Sequence, residues 1–430
     1  MSLKNYFLLF VLFSTIPLFA QTTSLKNSPP LEEAAPKNVS MSSERLGLID
    51  SMAIAAINQN QVPGMVALVA REGKIVYYKA FGKGDAQISK PLERDAIFRI
   101  ASQTKAITST GLMMLWEQGK FQLDDPISKY IPEFENAQVL DTLLPDGTYK
   151  TIPADKPITI RNLLTHTSGI GYGEIDGDAR FKKIYQEAGI TDLFTTKSVK
   201  IGENIKKLAQ LPLHHNPGEK FTYGESIDVV GYLIEILSGM PLDVYLRTHI
   251  FEPLGMSDTW FYLPKEKQER LVAVQTYNDN TWKNYKGGFY DVDYPKKGDN
   301  TFFSGGAGLS STAIDYATFL QMYLNGGELN GTRLLSRTTV DVILSNQIGD
   351  IWAGSGSYHG LAFSVVNAKG TEMGGKGSPR TFEWGGYFNT QYFADPAEKL
   401  IGIIMKQTQD IPNDQTTWKF RQIVLSAIDD

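Results

Sequence analysis

The chain has 430 residues, 42% of them hydrophobic, and sets 42 Lys and Arg against 47 Asp and Glu for a formal net charge of -5. With no basic run and no interleaving of Arg or Lys with aromatic residues, that balance argues against a nucleic-acid partner. Cysteine is absent, which excludes a disulfide framework and a cysteine-linked lipid, so stability must come from an apolar core in one large domain or two closely packed ones.

The first twenty residues carry Lys4, an apolar stretch from Tyr6 to about Phe19, and a small residue, Ala20, before Gln21. This is the pattern of a secretory signal peptide and predicts a periplasmic or secreted protein. Ser14, Thr15 and Pro17 interrupt the run before it reaches membrane-spanning length, so no stable membrane anchor is expected. Residues 21–40 are polar and proline-bearing and read as a flexible linker. An amphipathic helix is predicted over 43–61, followed by a hairpin over 64–82 that turns at 71–74. A buried helix follows at 103–118, with Gly119 at its end. Further helices are expected within 158–170, 227–256 and 308–327, with a long polar loop at 275–303 whose length suggests function. A second hairpin over 385–407, turning at 395–399, precedes a closing helix at 416–430.

These elements predict an α+β fold. Its antiparallel sheet is assembled from both chain ends (about 41–97 and 330–430) and flanked by the terminal helices, with a mostly helical part inserted between them (about 98–329).

Ser-x-x-Lys occurs once, as Ser102 and Lys105 at the head of the buried helix. At that spacing the two share a face, beside N-terminal backbone amides that favour a developing negative charge. The pair reads either as a solvated first turn or as a nucleophile with an amine base. No Gly-x-Ser-x-Gly occurs, and the five histidines, with His214 and His215 adjacent, form no metal-binding spacing. No metal and no cofactor is therefore expected. His166 in Thr-His-Thr-Ser-Gly reads as a structural histidine, and Tyr223 stands just before a helix after a Pro-Gly turn.

Three segments in order, Ser102-x-x-Lys105, Tyr223-Gly-Glu225 and Trp384-Gly385-Gly386, together with phrases such as ITIRNLLTHTSGI and GGAGLSSTAIDYATFLQMYLNGG, resemble the serine β-lactamase and penicillin-binding-protein superfamily. The likeness is to its class C-like branch, spans about residues 45–425, and implies a β-lactamase/transpeptidase-like fold. It also implies that Ser102 is the nucleophile, Lys105 its activating base and Tyr223 the proton relay. The amides of Ser102 and Tyr387 would form the oxyanion hole, and Glu225, Trp384, Gly385 and Gly386 would meet the substrate. Two positions depart from the β-lactamases of the family: Glu225 replaces Asn, and Trp-Gly-Gly replaces Lys-Thr-Gly, which removes a cation for a substrate carboxylate. Trp-Gly-Gly looks like the version in family VIII carboxylesterases and related acyltransferases. The expected activity is esterase-type hydrolysis of a small-molecule ester. A β-lactamase or D-amino-acid peptidase acting on amides ranks second, and a non-catalytic binder of peptidoglycan or peptides third.

Overall fold

Two strands from opposite ends of the chain lie side by side in one sheet. Gly64–Arg71 runs antiparallel to Leu400–Met405, with Val66 opposite Met405 and Arg71 opposite Leu400. Around this junction the strand order is Ser357–His359, Ser364–Val366, Phe382–Gly386, Thr390–Asp395, Leu400–Met405, Gly64–Arg71 and Lys74–Asp85, with Glu32–Glu33 at the far edge. All these pairs are antiparallel except the last, where Glu32–Glu33 lies parallel to Lys74–Asp85. The computed structural model describes residues 22–411 and 413–430, so the predicted signal peptide lies outside the described residues.

Every residue of the two central strands is buried, because both faces of the sheet are covered. Val66, Leu68 and Ala70 join Ile401, Ile403 and Met405 in the core beneath the helical part. Their sequence neighbours Met65, Ala67 and Val69 point the other way, with Leu400 and Ile404, onto Leu46, Ile49, Phe420 and Val424 of the terminal helices Ser43–Asn58 and Thr416–Ser426. Each large aliphatic side chain buried in this way contributes roughly 1.5–3 kcal/mol. The near-continuous apolar runs in both hairpins are the sequence trace of this double cover.

Local chemistry sets the helix starts. Ser42 accepts a hydrogen bond from the Arg45 amide, Thr312 accepts one from the Asp315 amide, and Thr159 with Asn162 forms a capping box.

The stretch expected as a flexible linker is instead laid against the body. Thr22–Thr23 pairs with Thr332–Arg333, and Glu32 and Glu33 form ion pairs with Lys74 and Arg94. Arg71 donates to the carbonyls of Val39 and Ser40 at 3.1 and 3.0 Å. Its polar composition suggested disorder, but the open edge of a sheet offers backbone partners that need no apolar side chain. The middle of the chain also contains two hairpins absent from the helical expectation, Gln138–Leu143 with Tyr149–Pro153 and Gln275–Asn278 with Thr281–Asn284. Beyond the second of these, the predicted polar loop folds Tyr290 and Tyr294 inward against Phe194, Phe388 and Ala101, with Tyr285 and Phe289 packed alongside.

The buried helix is Thr104–Glu117, preceded by a 3-10 turn at Ala101–Gln103 that carries Ser102. It is buried on every side as far as Leu115, and its threonine hydroxyls at 104, 108 and 110 are paired as burial demands, while that of Ser109 has no partner among the described residues. Thr108 donates to the Gly305 carbonyl at 2.7 Å, Thr110 donates to the Ala106 carbonyl at 2.7 Å, and Thr104 accepts from the Leu309 amide at 3.1 Å. Among the described residues no single helix is long and apolar enough to cross a membrane, and no group of three or more His, Asp or Glu side chains could hold a metal ion.

Candidate active site

Ala101, immediately before Ser102, has φ of +42°. A left-handed backbone at a non-glycine residue costs on the order of 1–3 kcal/mol and persists only where its surroundings impose it. Here the turn delivers a half-buried Ser102 to the end of the Phe382–Gly386 strand. A side chain at Gly386 would lie 2.4 Å from the Ile100 carbonyl, so only glycine lets the strand approach the serine turn. This brings the Ser102 amide and the Tyr387 amide to one region, and neither donates a hydrogen bond within the described residues. Both are therefore available to an oxyanion.

Lys105 is 4% exposed. Its Nζ donates to Tyr172 Oη and to the Gly306 carbonyl, each at 2.8 Å, and lies 4.6 Å from the centroid of the Tyr223 ring. Two of the amine's tetrahedral directions are thus committed. No hydrogen bond joins Nζ to Ser102 among the described residues. The Tyr172 and Tyr223 rings meet edge to face at 5.7 Å. They are held together by their backbones, since a side chain at Gly224 would lie 2.3 Å from the Gly171 carbonyl carbon. Trp384 Nε1 donates to Tyr223 Oη at 3.1 Å, so the tryptophan expected to meet the substrate also fixes the tyrosine hydroxyl. His166, fully buried, packs its ring 4.6 Å from that of Tyr223. Burial, followed by the nearby Lys105 and His359, pushes the His166 imidazole well below its usual range, and burial likewise pushes His359 down to about 4. Both rings are neutral packing groups at pH 7.

Tyr172 was not singled out in the sequence. The only trace was its setting, Gly-Ile-Gly-Tyr-Gly at 169–173, where repeated glycine marks close backbone approach. Glu225, expected on the substrate side, is 0% exposed. Asp228 and Asp192 are buried with it. Asp228 accepts from Ser304 Oγ at 2.6 Å and from the Gly306 amide at 3.2 Å, while Asp192 accepts from the Gly173 amide at 2.7 Å. Burial, with the carboxyls of Asp228 and Asp192 adding to it, raises Glu225 far above the usual carboxylate range, so it is a neutral acid inside the wall rather than an anion facing the substrate.

That placement has a consequence for stability. A raised folded-state pKa means that the native protein holds a proton the unfolded chain releases, so the contribution is full at acid pH and is lost as pH rises from about 4.5 through the folded value. Replacing Glu225 with Gln should therefore flatten the decline in stability above about pH 5 by up to about 1.4 kcal/mol per pH unit. Urea unfolding of both proteins between pH 5 and 8 measures this, and parallel curves would show that Glu225 is charged in the fold.

Residues 49–426 match the β-lactamase family profile. The chain belongs to the β-lactamase family. As a serine hydrolase of that family it shares 32% identity with Protein Rv1367c of Mycobacterium tuberculosis, over 80% of this chain and 85% of that protein. It is 29% identical to Esterase EstB of Burkholderia gladioli, over 84% of this chain and 90% of the esterase. Among solved structures it is similar to EstCE1, described as a hydrolase with promiscuous acyltransferase activity, with a TM-score of 0.77 at 25% identity over 89% of this chain and 98% of that one. The α+β architecture is thus the β-lactamase/transpeptidase-like fold that the sequence predicted.

Proposed function

We propose that this family member is an exported serine hydrolase that cleaves small esters through an acyl-enzyme on Ser102. The observation that carries the reading is the edge of the Phe382–Gly386 strand. Where β-lactamases of the family present a cation, this chain presents Trp384 bonded to Tyr223, and aromatic side chains from Phe194, Tyr290, Tyr387 and Phe388 gather beside the serine turn. The partly exposed Trp384 and Tyr387, backed by the buried Phe194, Tyr290 and Phe388, suit an uncharged, apolar acyl or aryl group.

In the proposed reaction Ser102 Oγ attacks the ester carbonyl as Lys105 takes its proton. The amides of Ser102 and Tyr387 stabilise the tetrahedral oxyanion. Tyr223, its hydroxyl oriented by Trp384, passes a proton to the departing alkoxide, and a water then cleaves the acyl-enzyme by the reverse transfers. Tyr172 holds the lysine amine in place.

A β-lactam or a D-Ala-D-Ala peptide brings a carboxylate to this edge, and losing a buried charge partner for it costs roughly 2–5 kcal/mol. Accordingly p-nitrophenyl butyrate should exceed nitrocefin in kcat/KM by at least about tenfold. If nitrocefin is the better substrate, the family's β-lactam chemistry replaces the esterase reading. Export rests on residues 1–20. Mass spectrometry of the protein recovered from outside the cytoplasm should find a new amino terminus near Gln21, and an intact Met1 there would contradict cleavage.

A further inference from the structure

A cavity of about 650 Å³ is lined by none of Ser102, Lys105, Tyr223 or Trp384. Arg99, three residues before Ser102, forms part of its wall. Arg99 is 2% exposed. Its Nε donates to the Val292 carbonyl and its Nη1 to the Val272 carbonyl, both at 2.8 Å, with Gln407 Oε1 a longer 3.4 Å from Nη1. Nη2 has no hydrogen-bond partner and no carboxylate pairs with the guanidinium among the described residues, and its one ring contact is Tyr294, whose centroid lies 6.0 Å from the central carbon. A buried cation without an anion is costly, and a protein that keeps one gains from whatever anion reaches it.

The nearby charges leave that role open. Asp293, on the same wall, is held by Lys296 and Lys297 at 2.8 and 2.9 Å. Arg270 is engaged by Asp258 and Asp95. Five acidic residues and, besides Arg99, four basic ones line the cavity, so the guanidinium brings the lining to neutrality and what it offers an anion is the unpaired Nη2 rather than a net charge. Leu92, Ala96, Val272, Val274 and Val292 supply apolar walls, and the volume falls in the range of small-molecule sites.

We propose that this cavity is a second binding site, for an amphiphilic monocarboxylate whose anionic end meets Arg99 Nη2 and whose short alkyl or aryl body lies against the valines. The two N–H donors of Nη2 sit on one nitrogen and suit a single carboxylate group. A phosphate dianion would need more donors than Nη2 alone provides. The assignment goes beyond the proposed hydrolysis and does not depend on it.

Isothermal titration of the full chain with 4-phenylbutyrate and with its neutral amide tests the proposal independently of turnover. The acid should bind with a Kd below about 1 mM and the amide at least about tenfold more weakly. Arg99→Gln should erase the difference between them. Because Arg99 also ties two backbone segments, a second variant places the charge at the surface. Ile88, 71% exposed on the rim, becomes Glu without disturbing the core and should weaken the acid at least about threefold. Equal affinity for acid and amide, no heat up to about 10 mM, an unchanged Kd in Ile88→Glu, or competition by a fluorophosphonate attached to Ser102 would each overturn it.

Discussion

Ser102→Ala should abolish hydrolysis of p-nitrophenyl butyrate while leaving the fold intact. Removing the nucleophile of a serine hydrolase lowers turnover by on the order of 10⁶-fold, leaving only what binding and the oxyanion site supply. The fold has little to lose. Ser102 is half-buried in a short 3-10 turn, and its hydroxyl makes no hydrogen bond among the described residues, so the change removes one small atom and no bond. Stability should move by less than about 0.5 kcal/mol. Activity, circular dichroism and thermal unfolding measured on one preparation separate the two effects. Turnover persisting with an unchanged spectrum would rule Ser102 out as the nucleophile, whereas loss of both signals would call for Ser102→Gly before any conclusion.

The elements that were legible beforehand are those whose sequence pattern and packing agree. The two hairpins read correctly because each contains a strand apolar on both faces, Gly64–Arg71 or Leu400–Met405, and each turn is marked by charged or polar residues. The Thr104–Glu117 helix read as buried because it is apolar and leaves nothing to water as far as Leu115. What was not legible depends on partners distant in the chain. Residues 22–40 dock through backbone edges and surface ion pairs, neither of which leaves an apolar trace. The aromatics of 275–303 sat in a segment that averages as polar, although four of them pack into the cluster that holds Ala101, Phe194 and Phe388. Tyr172 and Glu225 show the same limit within the site. A tyrosine 67 positions from Lys105 becomes its hydrogen-bond partner only when the Gly171 and Gly224 backbones touch. A glutamate two residues after Tyr223 looks exposed by its charge, yet burial, with other carboxyls beside it, raises its pKa well above the usual range.

Lys105→Met should retain less than about one hundredth of wild-type activity. General-base assistance by a positioned side chain contributes about 10² to 10⁴ in rate, and the surroundings of Lys105 contain no obvious substitute. His166 and His359 are buried and lie outside the hydrogen bonds of the amine, and the nearest hydroxyl bonded to it is that of Tyr172. Methionine keeps the length of the stem, so the apolar packing around it should hold. The loss would then be chemical rather than structural. It does leave the Gly306 carbonyl and Tyr172 Oη each short of one donor, which costs about 1–3 kcal/mol if water does not enter. The expected outcome therefore has two parts: turnover slowed at least about a hundredfold, and a drop in unfolding free energy confined to that range. Tyr172→Phe gives the contrast, since it removes one bond to the amine but leaves the amine itself, and its loss of activity should be smaller than that of Lys105→Met. The rate of Ser102 labelling by a fluorophosphonate should follow the same order. Should Lys105→Met lose less than about tenfold, the proton of Ser102 goes elsewhere, and Tyr223, whose ring lies against the amine and whose hydroxyl is set by Trp384, is the next residue to replace.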